Sequence, residues 1–305
     1  MSCPVKTSGQ RRMVMNEHRN IRIVAVAALA LGTGGLAMAQ EVPQGVFINV
    51  RNTGFEIGVN TSGWQFHPCL SPDDKELYYR NYHGDFENNE LWVATREGLD
   101  QPFGNVKTVQ DLADGILLDG ATEDIPMCMS YNLCDFYFNS NREGSLDIYR
   151  ARRAGPGQKF VSLEKLGPKV NTPGKDEGSA RISSDDLTLF YTRLPGDPAT
   201  SLYQADIWIV TRESTTVPFG DANADPKHDP RPLEVNSPIY DDLRPSISSD
   251  GLFLFFSDYT NTDPRPGGFG GRDIWVTFRS SVDVPFVEEP VNPNVLWPGS
   301  TLNSQ

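Results

Sequence analysis

Three acidic pairs, Glu123-Asp124, Asp176-Glu177 and Asp241-Asp242, stand immediately ahead of segments that read as strands, and Trp64-Gln65 holds the matching place before a fourth. Carboxylates that recur at a fixed offset and converge could hold a cation, hydrogen-bond a sugar, or divide acid and base roles across a glycosidic bond. Asp124, Glu177 and Asp242 are the residues such chemistry would use. The competing reading is structural. A residue repeated in every unit of a repeat serves the unit, here by bonding backbone where the chain enters, whereas a ligand site breaks the repeat.

A second acidic feature is DANADPKHD, which puts oxygen-bearing side chains at positions 1, 3, 5 and 9 of a calcium-loop register as Asp221, Asn223, Asp225 and Asp229. Alternate oxygen ligands let one turn surround Ca²⁺, the only cofactor this chain suggests. Pro226 replaces the glycine wanted at position 6, however, and Pro232 replaces the bidentate glutamate at position 12. The segment therefore reads first as an acidic, solvated loop. Histidine-based metal chemistry finds little support, because His67, His83 and His228 lie in different contexts without ligand spacing. The glycines of GGFGG, Gly267 to Gly271, precede a strand rather than open a helix. They lack the amide array of a phosphate loop and read as a hairpin loop.

The elements that would position these groups come from an internal repeat. FHPCLSPDDKELYYRN from Phe66, IPMCMSYNLCDFYFNSN from Ile125, GSARISSDDLTLFYTR from Gly178 and LRPSISSDGLFLFFSD from Leu243 align as strand, tight turn, strand. Their turn residues Asp73, Asn132, Asp185 and Asp250 are spaced by 59, 53 and 65 residues and are types that bond their own backbone. A third strand follows, with an aromatic at Trp92, Tyr149, Trp208 or Trp275 and a closing arginine at Arg96, Arg153, Arg212 or Arg279. Three units continue with Pro-Phe, and Val-Asn pairs recur at 59–60, 170–171, 235–236 and 291–292.

Four short strands repeated about every sixty residues, without helical periodicity between them, predict an all-β fold: a β-propeller of four four-stranded blades. Packing blades face to face covers both sides of each sheet, so the repeated aromatics belong to interblade packing. The first strand of each unit is then innermost, which places the acidic pairs near one mouth of a central channel. Residues 47–58 read as an outer strand, and few residues follow Val291-Asn292. The ring therefore closes with four blades or carries an incomplete fifth.

The pattern Pro-x-x-Ser-x-Asp-Gly, an aromatic strand and then Asp-Ile-Trp, clearest in PSISSDGLFLFFSD and GGFGGRDIWVTFR, resembles the WD40-like repeat of TolB-type propeller proteins over nearly all of residues 55–290. The second unit departs from it, with Ser-Tyr-Asn-Leu at the turn. The resemblance implies an exported binding or scaffold protein, although the same repeat also serves as a scaffold in enzymes. A hydrolase of the prolyl-peptidase kind would need a separate α/β domain with a Gly-x-Ser-x-Gly elbow, and the sequence has neither.

Residues 1–39 read as a signal peptide: Arg11, Arg12, Arg19 and Arg22 precede an apolar run from Ile23 that ends in Ala37-Met38-Ala39. The whole chain of 305 residues carries a net charge of −13; without residues 1–39 it has 22 basic against 39 acidic residues, a net −17. That balance argues against nucleic acid as a partner. No transmembrane segment is expected once the leader is removed. Cys69, Cys128 and Cys134 remain, so at most one internal bridge can form, and a Cys128–Cys134 bridge across a hairpin is the pairing that sequence proximity allows.

The sequence thus predicts, for residues 40–305, a propeller with repeats near 64–110, 123–170, 176–235 and 241–291, periplasmic or extracellular. Its first expected role is non-catalytic binding of a protein, a cell-envelope component or a glycan. One alternative is a glycoside-active enzyme using the carboxylates at the channel mouth, and another is an incomplete propeller without independent activity.

Overall fold

The computed structural model describes residue 59 and residues 64–82, 89–118, 123–195, 205–259, 264–287 and 289–293. The expected signal peptide at 1–39, the expected strand at 47–58 and His83 lie outside them. The described chain is almost entirely antiparallel sheet. Blade 1 is β1 (Trp64–Leu70), β2 (Glu76–Tyr82), β3 (Asn89–Thr95) and β4 (Gly104–Thr108). Blade 2 is β5 (Asp124–Met129), β6 (Asp135–Ser140), β7 (Asp147–Arg153) and β8 (Phe160–Lys165). Blade 3 is β9 (Glu177–Ile182), β10 (Thr188–Arg193), β11 (Asp206–Thr211) and the short β12 (Arg231–Pro232). Blade 4 is β13 (Asp241–Ile247), β14 (Phe253–Tyr259) and β15 (Ile274–Phe278), with Val291 bridged to Val276 where the other blades have a fourth strand. The all-β four-bladed propeller predicted from the repeat is the observed fold, and the described residues contain no fifth sheet.

The repeated residues turn out to be the fittings of each blade. Ser71, Ser130, Ser183 and Ser248 donate to Asp73, Asn132, Asp185 and Asp250 at 2.7, 2.7, 2.5 and 2.6 Å. The residue after each of these takes a positive φ: Asp74 60°, Leu133 63°, Asp186 61° and Gly251 74°. A side chain that bonds backbone two residues on holds such a turn closed. The closing arginines then grip the turn from outside, Arg96, Arg153, Arg212 and Arg279 donating from Nε to the carbonyls of Asp74, Leu133, Asp186 and Gly251 at 2.7–2.9 Å. Each guanidinium also lies over a phenylalanine of the following segment, Phe103, Phe160, Phe219 or Phe286, at 4.3–5.1 Å from the ring centre, a cation–π contact. The asparagines of the Val-Asn pairs bracket the third strand: Asn171 accepts from and donates to Ile148, and Asn236 does the same to Ile207.

Alternation along the strands sends apolar side chains to both faces, and neighbouring blades share them. One apolar cluster runs through blades 1, 2 and 3, with Tyr78 stacked on Phe136 at 4.6 Å. A second joins blades 3 and 4 around Phe190, Ile207, Phe256 and Trp275. Smaller clusters cover the far faces of blade 1 (Leu77, Tyr79, Ala94) and blade 4 (Phe253, Val276), and among the described residues these two remain separate. Polar ties reinforce the seams. Arg153 of blade 2 forms a two-armed ion pair with Glu76 of blade 1 at 2.6 and 2.9 Å, and Asp186 of blade 3 accepts the amides of Tyr131 and Asn132 of blade 2 at 2.6 and 3.0 Å.

Candidate functional site

The acidic pairs do not gather in the channel. The side chains of Asp124, Glu177 and Asp242 are fully buried, and each is clasped by an arginine of its own blade: Arg142 at 3.1 Å, Arg193 at 2.9 Å, and Arg265. In blades 3 and 4 the other member of the pair holds the preceding blade. Asp176 accepts the amide of Leu146 and Asp241 that of Ala205, both at 2.8 Å. The innermost place of the first strand, which put these pairs near the channel mouth, does not leave them open, since an ionisable group out of water must find a partner. Burial raises the Glu177 carboxyl despite Thr172 and Arg193, and it pushes Asp242 up to about 7 despite Arg265. These residues are entry clasps.

The calcium-register side chains are also engaged elsewhere. Asp221 accepts the Asn223 amide at 2.8 Å, Asp225 accepts the Lys227 amide at 3.0 Å and caps a short 3-10 turn, and Asp229 pairs with Lys169. Among the described residues no three His, Cys, Asp or Glu side chains gather as metal ligands. The Cys128–Cys134 bridge does not form: Cys128 is a free thiol, buried like Cys69. Sequence proximity had placed the pair on one hairpin, but Cys128 belongs to the inner strand β5, where its thiol faces the backbone of Ile182 in blade 3. The GGFGG segment is a loop folded around Asp273, whose carboxylate accepts the amides of Phe269 and Gly270 at 2.7 and 3.1 Å.

The site that sequence reasoning missed is the channel wall. The register of every inner strand slips at one equivalent point, between Phe66 and Cys69, Pro126 and Cys128, the partners of Phe190 and Thr192 on β9, and Leu243 and Ser246. Four residues before each turn serine stand His67, Pro126, Ser179 and Arg244, and the three that are not proline take left-handed φ values of 53°, 56° and 56°. A bulge bends its strand and re-aims a side chain. Here it turns all four towards the channel, where they line one cavity.

That cavity has a volume of about 660 Å³ and is bounded by all four inner strands. Its charged lining is Arg80, Arg181, Arg244 and Arg272 with His67; among the described residues no carboxylate lines it, and its apolar part is Phe66, Met127 and the prolines 68, 126 and 245. A second chamber of about 500 Å³ continues beyond it towards the turns of blades 1, 2 and 4 and includes Cys69, Cys128 and Asp74. Pro68, Met127 and Arg181 border both chambers and form the waist. Arg181 is fixed there by donating to the carbonyls of Met127 and Ala180. Burial, then Arg244, Arg80 and Arg181, lower the His67 imidazole from 6.5 to about 4. Burial and the neighbouring Arg272 lower Arg244. The arrangement offers planar donors to an anion. The signal was present in the aligned units, where this position reads His, Pro, Ser and Arg while the turn serine four residues on is present in all four.

No family model and no curated protein matches the chain. Solved structures similar to it include TolB from Acinetobacter baumannii, with a TM-score of 0.42 at 16% identity over 75% of this chain and 44% of that one. A putative TolB from Agrobacterium tumefaciens gives 0.38 at 14% identity over 74% and 81%. A thermostable family-43 glycoside hydrolase gives 0.44 at 13% identity over 79% and 74%. The chain spans less than half the length of the first of these. This is a likeness of fold alone. The TolB-type resemblance read from the repeat stands at that level, on the blades themselves, and the functional reading depends on the channel.

Proposed function

We propose that the chain is an exported, non-catalytic binding propeller, periplasmic or extracellular, that meets a protein, cell-envelope component or glycan at the arginine-lined end of its channel. One observation carries the reading: the four bulge positions His67, Pro126, Ser179 and Arg244 differ from blade to blade while the framework around them repeats, and they meet in one cavity. The glycosidase alternative needed free carboxylates, and Asp124, Glu177 and Asp242 are engaged by arginines. No helix among the described residues is long and apolar enough to cross a membrane.

The test is photo-cross-linking in the cells that make the protein, with p-benzoylphenylalanine replacing Arg244 or, as a control, the exposed Val161 on the outer strand β8. A discrete adduct from position 244 and not from 161 is expected. Adducts from 161 alone, or glycan turnover by the purified protein that Glu177→Gln abolishes without lowering its melting temperature, would overturn the reading.

A further inference from the structure

The wider chamber concentrates positive charge in a chain whose net charge is −13. Arg181, Arg244 and Arg272 are within salt-bridge distance of no described carboxylate, whereas Arg142, Arg150, Arg152, Arg153, Arg193 and Arg265 make ion pairs and the closing arginines Arg96, Arg212 and Arg279 are held by the turn carbonyls of their own blades. Like charges crowded beside low-dielectric walls repel: burial lowers both Arg244 and His67, and their arginine neighbours lower them further. An anion entering the chamber would relieve it. Guanidinium groups offer planar pairs of N–H donors that match carboxylate and phosphate oxygens two at a time.

Size and lining narrow the ligand. At about 660 Å³ the chamber falls in the range of small-molecule sites and would hold about twenty waters, far more than one inorganic oxyanion. Three prolines, Met127 and Phe66 between the arginines supply apolar wall that a bare, strongly hydrated anion cannot use. Arginines contributed by β2, β9, β13 and the segment before β15 favour several anionic groups over one.

Building on the channel as the binding site, we propose that the chamber takes an organic polyanion: a compact apolar frame carrying two or more carboxylates or equivalent oxyanions, either free or as the end-group of a larger partner. Calorimetric titration of the purified chain at matched ionic strength, with benzene-1,3,5-tricarboxylate, citrate and inorganic phosphate as probes, tests it. The tricarboxylates are expected to saturate one site, and phosphate to bind at least about tenfold more weakly. Arg244→Gln and Arg272→Gln, both at exposed positions, should each weaken tricarboxylate binding about tenfold or more. Arg231→Gln, whose exposed side chain pairs with Glu234 on the outer edge of blade 3, should leave it unchanged. Unaltered melting temperatures would separate loss of binding from loss of fold. The proposal fails if neither tricarboxylate saturates, if the control weakens binding as much as the channel variants, or if phosphate binds as tightly as the organic anions. A chain that cross-links a partner through position 244 but ignores both tricarboxylates keeps the binding role and loses this ligand; one that takes the tricarboxylates and yields no adduct does the reverse. With the cross-linker placed instead at Phe66, which lines the chamber without supplying a donor, competition of the adduct by tricarboxylate assigns the anion to the partner's end-group, and an adduct indifferent to it assigns a free ligand.

Discussion

Gln65 donates from Nε2 to Oδ1 of Asn81, its cross-strand partner, at 2.8 Å, in the place where blade 3 pairs Glu177 with Arg193. Blades 2 and 4 reach the same end by another route, with Arg142 and Arg265 arriving from the loop beyond the second strand. The entry clasp is therefore a requirement of the blade that the chain meets with three charged pairs and one neutral one. A group conserved by the fold in this way is poorly suited to be a catalytic acid, because its ionisation is tied to the integrity of the sheet.

Removing one side of a charged clasp should cost far more than replacing both. Arg193→Ala leaves Glu177 buried without its cation, and a loss of about 3–5 kcal/mol is expected from such a break. The double variant Glu177→Gln/Arg193→Asn copies the arrangement of blade 1 and should recover much of that loss. Urea denaturation of the two variants and the parent decides the matter: equal destabilisation by single and double variants would mean that Arg193 acts through its bonds to the carbonyls of Lys169 and Val170 rather than through Glu177.

Ser179 holds a φ of 56° on an inner strand, a conformation that costs a side-chain-bearing residue roughly 1–2 kcal/mol and glycine almost nothing. Ser179→Gly should accordingly be neutral or slightly stabilising, while the β-branched Ser179→Val should destabilise by about 1–3 kcal/mol. Thermal melts measure both. A valine variant as stable as the parent would show that the bulge at this blade relaxes and is not imposed by the ring.

The free thiols of Cys69 and Cys128 line the narrower chamber but are poor nucleophiles there. Burial pushes Cys69 up to about 11 and raises Cys128 further, so neither supplies thiolate at neutral pH. Both should resist iodoacetamide in the native protein and label rapidly in denaturant, with mass spectrometry reporting each site. Labelling of Cys69 in the folded chain would mean that the chamber opens to solvent and reagent.

Much of this architecture could be read before the coordinates, because what repeats in sequence is what repeats in structure. The turn serines with Asp73, Asn132, Asp185 and Asp250, and the closing arginines, make the same bonds in every blade, and Asn171 and Asn236 make theirs in two, so alignment of the chain with itself exposed them. The same logic hid the site. Asp124, Glu177 and Asp242 drew attention through their recurrence, which marks framework, and their burial depends on arginines 16 to 23 residues away that no local pattern identifies. Arg80, Arg181, Arg244 and Arg272 sit at different offsets in three of the units and meet only because the inner strands surround one axis. His67 looked isolated for the same reason.

His67 provides a direct readout of the chamber. Its imidazole falls to about 4 in the folded chain against 6.5 when free, so the folded state resists its protonation. Stability tied to this residue is fully present above pH 6.5 and is lost as pH falls from there towards 4. Asp242 runs the other way: raised from 3.8 to about 7, it holds its proton more tightly in the folded chain, and the stability tied to it is present below pH 3.8 and lost as pH rises through 7. Because the two slopes overlap between pH 4 and 6.5, a bulk melting curve mixes them, and variants must separate them. His67→Gln should flatten the acid-side loss, and Asp242→Asn the loss towards neutrality. By NMR the His67 ring should titrate near pH 4 in the free protein. Saturating benzene-1,3,5-tricarboxylate, by offsetting Arg244, Arg80 and Arg181, should move that midpoint upward. An anion that binds and leaves it unmoved would place the bound ligand away from the His67 wall of the channel.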